Sequence, residues 1–215
     1  MSARDEIFSA VRAALGTPRQ DPATIAAEAA ALLADPDAIR PRLSAPTLVE
    51  AFATRATALG TTLDRIADFA DVPAAVGRYL AEHGLTAAVA VQPVAEFDGL
   101  DWRDIRLHAA LASDEAVAVG LARWGIAEAG SLVIHSGPDT PILLAFLPLH
   151  HIVVLPTRLI LAHLEDYSAV ASENGAPRNA VLITGPSGTT DIEGSYVRGA
   201  HGPGFLHVVF VEDMP

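Results

Sequence analysis

Apolar residues recur along this chain with two different periods, and the change falls near residue 85. Before it they follow helical spacing: Ile7, Val11 and Leu15, then Leu48, Phe52, Ala56 and Leu59, then Val72, Val76, Tyr79 and Leu80. Prolines punctuate residues 16–46, so the alanine-rich stretch RQDPATIAAEAAALLADPD reads as a short helix between connections. Beyond residue 85, six short runs replace that spacing: TAAVAV (86–91), EAVAVG (115–120), SLVIHS (131–136), HHIVVL (150–155), NAVLIT (179–184) and LHVVFV (206–211). Runs this short, β-branched and apolar at consecutive positions suit strands covered on both faces. They predict an α/β fold with a mainly parallel sheet flanked by helices. The stretch RLILAHLEDYSAVASENG (158–175) predicts a crossover helix with Leu161, Leu164, Tyr167 and Val170 inward and Asn174-Gly175 as its stop. The expected organisation is an N-terminal helical segment, residues 1–84, packing on an α/β core, residues 85–215, within one structural domain.

Composition narrows the chemistry. All 14 basic residues are arginine, and cysteine is absent. Without lysine there is no Schiff base and no lysine general base. Without thiols there is no disulfide, no thiolate catalysis and no cysteine-held zinc or iron–sulfur cluster in this chain. The net charge of −12 opposes nucleic-acid phosphates and anionic membrane surfaces. No apolar run reaches the roughly 18 residues of a spanning helix, and the polar start MSARDEIFSA lacks the apolar centre of a signal peptide. A cytoplasmic protein is expected, with no nucleic-acid partner and no membrane insertion.

The segment VLITGPSGTTDIEGSYVRGAHGPGFLHVVF (181–210) sets six glycines and two prolines between two strand-like runs. A glycine-rich turn after a strand can cradle phosphate through backbone N–H groups, but the P-loop form also needs a lysine. Any anion here would be held by loop amides, hydroxyls and an arginine. In an open parallel sheet, ligands sit beyond the carboxyl ends of the strands. Both this segment and IAEAGSLVIHSG (126–137) are expected there. The candidate ligand-binding residues are Thr184, Gly185, Ser187, Thr189, Asp191, Glu193 and Gly202. Asp191 and Glu193, two apart, share a face in extended chain or complement the dipole at a helix start. Glu128, in a glycine turn, is a candidate acid, base or nucleophile; alternatively its carboxylate accepts backbone N–H bonds. His201, at a strand entry, suits ligand contact or proton transfer. His150 and His151 are adjacent, so on a strand they point to opposite faces and chelate poorly. No metal and no cofactor is expected. Ser187 lacks the G-x-S-x-G elbow of a hydrolase nucleophile.

Several of these motifs together resemble the LUD-domain family, in particular its lactate utilisation protein C (LutC/YkgG) group. The carriers are the turn IAEAGSL, the strand entry LPLHHIVVL and the C-terminal TGPSGTTDIEGSYVRGAHGPGFLHV, in order over residues 115–212. The resemblance implies a fold like the NagB/RpiA/CoA transferase-like superfamily. It also implies a place in bacterial lactate oxidation beside iron–sulfur partner proteins, as an oxidoreductase-complex subunit that binds a small carboxylate or nucleotide-like ligand. Two alternatives stand beside it: an enzyme of that superfamily, such as a CoA transferase, sugar-phosphate isomerase or folate cyclo-ligase, or a non-catalytic ligand sensor. The chain departs from the family pattern at Gly188 and at Gly204-Phe205, where family members often carry a cation, and SGPDTPILLAFLP lacks the arginine common before LLP. Three absent cations count against a highly charged phosphate ligand.

Overall fold

The runs HHIVVL and LHVVFV become adjacent strands, β7 (His150–Pro156) and β12 (Phe205–Asp213), paired in parallel with His150 opposite Phe205 and Val154 opposite Val209. The computed structural model describes residues 2–15, 20–32, 34–35, 37, 40–108, 110–173, 177–190 and 194–213. The chain divides into two units, Met1–Pro41 and Arg42–Pro215. The first carries helices α1 (Ala3–Leu15) and α2 (Pro22–Leu32). Ser2 starts α1 by a reciprocal cap: its Oγ accepts from the Asp5 amide while its own amide donates to the Asp5 carboxylate.

In the second unit, β1 (Thr62–Asp68), β2 (Ala88–Val91), β3 (Arg106–His108) and β4 (Val117–Leu121) complete a six-stranded sheet of order β1-β12-β7-β4-β2-β3. Every pairing in it is parallel. Alternate residues of the central strands serve opposite faces, as a sheet covered on both sides requires. Ile152, Val154, Val209 and Val211 meet Val72, Val76 and Leu80 of α4 (Val72–Glu82). Val153, Leu155, Val208 and Phe210 meet Phe52 and Ala56 of α3 (Leu48–Ala58), whose start is capped by Thr47. The same face is covered by a second sheet of order β8-β5-β6-β9, made of β5 (Trp124–Ile126), β6 (Ser131–His135), β8 (Ile160–Leu161) and β9 (Ala180–Ile183). Outside that sheet, Tyr167 of α5 (Leu164–Glu173) packs with Ile126 and Val133.

Four of the six expected strands lie in the parallel sheet. SLVIHS and NAVLIT instead pair antiparallel with each other as β6 and β9. β6 is also antiparallel to β5, from which only the four residues 127–130 separate it, far too few for the crossover that a parallel neighbour needs. The sheet is completed by two strands that the apolar pattern did not predict. In β1, TLDRIAD, only Ile66 is buried, because this is a polar edge strand. β1 and α4, from the segment expected to be helical, thus belong to the same unit as the sheet. The crossover helix begins at Leu164, later than its apolar spacing suggests, since residues 160–161 pair as β8. The Asn174-Gly175 stop lies outside the described residues.

Candidate functional site

The glycine-rich segment reaches the opposite end of the sheet from the one expected. It leaves β9, which belongs to the second sheet, and arrives at the amino ends of β7 and β12, where the Phe205 amide donates to the Leu149 carbonyl at 3.0 Å. Part of it forms the hairpin β10 (Gly188–Thr190) and β11 (Tyr196–Arg198), with Thr189 opposite Val197. Its backbone is engaged internally: the Ser187 amide donates to Pro203 O at 2.8 Å, and the Gly199 amide donates to Ser187 O at 2.9 Å. Gly185, at a φ of +80°, rests on Leu59, and Gly202 on the Ser187 side chain. The Thr184 hydroxyl shares a 2.7 Å hydrogen bond with Ser131. Arg198 donates to the Gly204 carbonyl and lies 4.4 Å over the Phe205 ring. His201 is exposed in the turn before β12. Asp191 and Glu193 lie outside the described residues.

Beneath this segment is a buried aromatic layer. Phe205 stacks on His150 at 4.3 Å, and His150 Nδ1 shares a 2.9 Å hydrogen bond with the Tyr79 hydroxyl. Burial pushes the Tyr79 hydroxyl up to about 12 and lowers His150. The Tyr79 ring also meets His207, whose Nδ1 bonds Thr62 Oγ1 at 2.8 Å and whose Nε2 is buried without a partner. His151 faces the other side of β7, with its Nδ1 buried and unpartnered. The two adjacent histidines thus point apart, as strand alternation demands.

Glu128 accepts a hydrogen bond from the Leu164 amide at 2.8 Å. Its carboxylate sits at the first turn of α5, where it satisfies a free amide and complements the dipole. No hydrogen bond among the described residues joins it to His201. Glu128→Gln is expected to lower stability by about 0.3–1 kcal/mol through loss of that charge, read as a shifted urea midpoint; an unchanged midpoint would remove the capping role.

At the carboxyl ends of the parallel strands is a cleft of about 630 Å³, lined in part by His135, Ser136 and Gly137 from the end of the IAEAGSLVIHSG motif and otherwise by residues that no motif marks. It opens between β2 and β4, where the strand order reverses: β2 leads outward to β3, and the next sheet strand after β4 is β7 on the other side. Its walls come from the connections following β2 (Gln92), β4 (Arg123), β6 (Ser136, Thr140) and β7 (Arg158), with Trp124 at the start of β5 and His135 at the end of β6. Gln92 is buried and ties three of these together: its Oε1 accepts from the Leu121 amide at 2.8 Å and its Nε2 donates to Thr140 Oγ1 at 2.9 Å. Gly120 makes room for this, since a Cβ there would lie 3.2 Å from Gln92 Oε1 and 3.3 Å from His151 Nε2.

A parallel sheet covered on both faces, with a cleft at its switch point, defines an open-sheet α/β protein. The chain belongs to the LUD domain family, whose pattern matches residues 103–211. A crystal structure of a DUF162 family protein from Deinococcus radiodurans shares the fold, with a TM-score of 0.57 at 21% identity over 76% of this chain and 96% of that one. An uncharacterized protein of Neisseria meningitidis serogroup B is 37% identical over 94 residues, 42% of this chain and 40% of its own length. Lactate utilization protein C of Bacillus subtilis is 30% identical over 102 residues, 45% of this chain and 42% of that protein. The Geobacillus kaustophilus protein of the same name is 30% identical over 141 residues, 62% and 59% respectively. The chain thus spans less than two thirds of the length of the last three of these proteins.

Proposed function

We propose that this chain serves bacterial lactate utilisation together with iron–sulfur partner proteins, and that the segment Thr184–Gly204 is the surface through which it meets a partner or ligand. The observation that carries the reading is the family match at residues 103–211, which includes that whole segment, alongside relatives named lactate utilization protein C. The geometry supports His201 as the reactive or contacting group. Glu128 is engaged at α5 and Thr184 at Ser131, whereas the His201 imidazole is exposed on a backbone fixed by Ser187, Gly199 and Pro203. Asp191 and Glu193 join the candidate set from the sequence. A strain lacking the gene is expected to regain growth on lactate with the wild-type copy and not with His201→Ala. That variant should melt within about 0.5 kcal/mol of wild type, as exposed substitutions do. Normal growth of the deletion strain on lactate would overturn the proposal, and full rescue by His201→Ala would remove His201 from it.

A further inference from the structure

We propose that the cleft at the carboxyl ends of β2, β4 and β7 binds a small organic oxyanion, a metabolite presenting a carboxylate or a phosphate. The argument rests on which hydrogen-bonding capacity the protein has already used there. The Thr140 hydroxyl oxygen accepts from Gln92 Nε2, and the Ser136 hydroxyl oxygen accepts from the Asn179 amide at 3.1 Å. Each hydroxyl therefore keeps its own proton to donate. Gln92 has its carbonyl engaged by Leu121, so this buried side chain is a fixed support for Thr140.

The two arginines of the cleft add to this surplus of donors. Arg123 and Arg158, both exposed, belong to none of the ion pairs among the described residues. Arg123 lies 5.6 Å over the Trp124 ring, which orients its guanidinium without neutralising it. Beside it, His135 bonds the Tyr167 hydroxyl at 2.9 Å; burial first, and the Arg123 charge second, hold His135 below its ordinary value. Two unpaired guanidinium forks and two donating hydroxyls call for a ligand rich in acceptors, and a planar oxyanion matches the guanidinium fork. The volume is that of a small-molecule site. Glu96 and Asp139 also line the cleft, both exposed, and they oppose a highly charged ligand. A monocarboxylate is therefore favoured over a phosphate monoester.

The test is isothermal titration calorimetry of the full chain with sodium lactate as the carboxylate probe and AMP as the phosphate probe. Saturable binding of at least one probe is expected, weakened at least about tenfold by Arg123→Gln and by Arg158→Gln. Arg106→Gln, an exposed arginine at the start of β3, controls for the loss of one charge and should leave binding unchanged. Binding of lactate identifies a carboxylate ligand and binding of AMP a phosphate; either supports the inference when the two cleft variants weaken it, and binding that both variants leave unchanged overturns it. Absence of saturable binding of both probes up to about 10 mM, a range that captures even weak complexes, would overturn it. So would an equal loss in all three variants. The outcome is separable from the lactate-growth experiment, since the Arg123 and Arg158 variants report on the cleft and His201 plays no part in it.

Discussion

Acidification from pH 6.5 to about 4 is expected to remove a large part of the stability of this protein. His151 and His207 are both buried, and burial pushes each imidazole down to about 4. Each also has a ring nitrogen with no partner to stabilise a proton, Nδ1 in His151 and Nε2 in His207. The unfolded chain binds those protons at the ordinary value, so its imidazoles charge first as pH falls. Stabilisation from both histidines is complete above 6.5, declines through the window and is lost near 4. Each displacement amounts to about 3 kcal/mol, against about 5–15 kcal/mol for a typical whole domain. Urea midpoints measured across that window should fall steeply, and His207→Gln should flatten the fall. A midpoint unchanged between neutral pH and the lower end of the window would show that the buried histidines are protonated without cost.

Gly130→Ala is expected to cost about 3 kcal/mol or more, the combined effect of a left-handed backbone and an overfilled contact. Gly130 closes the turn from β5 to β6 with a φ of +66°, and its amide donates to Ile126 O at 2.9 Å. A Cβ built there falls 2.5 Å from the Ala56 amide nitrogen and 2.9 Å from Arg55 Cβ. The nearest obstacle is helix backbone, so α3 itself would have to move away from the core it covers. The expected result is a large drop in melting temperature, and a variant melting within a degree or two of wild type would show that α3 yields easily. The sequence already marks this glycine within IAEAGSL; the structure gives the physical reason for it.

The apolar runs that became β7, β12 and α4 were legible because burial on both faces, or along one stripe, leaves an unmistakable pattern at Ile152–Leu155, Val208–Val211 and Val72–Leu80. Pairing direction was not legible. Nothing in SLVIHS distinguishes a parallel from an antiparallel strand; that was decided by the length of the connection before it. NAVLIT carries no such distinction either, and because its strand β9 belongs to the second sheet, the glycine-rich segment after it meets the parallel sheet only at the amino ends of β7 and β12. The capping role of Glu128 depends on Leu164, 36 positions away, beyond the reach of any local motif. The cleft was the hardest to see. Gln92, Arg123 and Arg158 stand in three connections that carry no motif, Thr140 lies just past the IAEAGSLVIHSG motif, and only the strand order brings them together. The conspicuous glycines, by contrast, serve in part to let the segment fold back on itself.

The strand order also governs when the fold can exist. β12 lies between β1 and β7 and is made after all the other strands, and 145 positions separate Thr62 from its partner His207. At about 5–20 residues per second, β1 leaves the ribosome on the order of ten seconds before β12, the strand it pairs with. Once β7 has been made, and until β12 follows, the hydrogen-bonding edges of β1 and β7 both stand open, the second of them carrying the apolar run Ile152–Leu155. A ribosome that stalls before residue 205 would therefore release a chain with two unpaired strand edges, a substrate for chaperones or for aggregation.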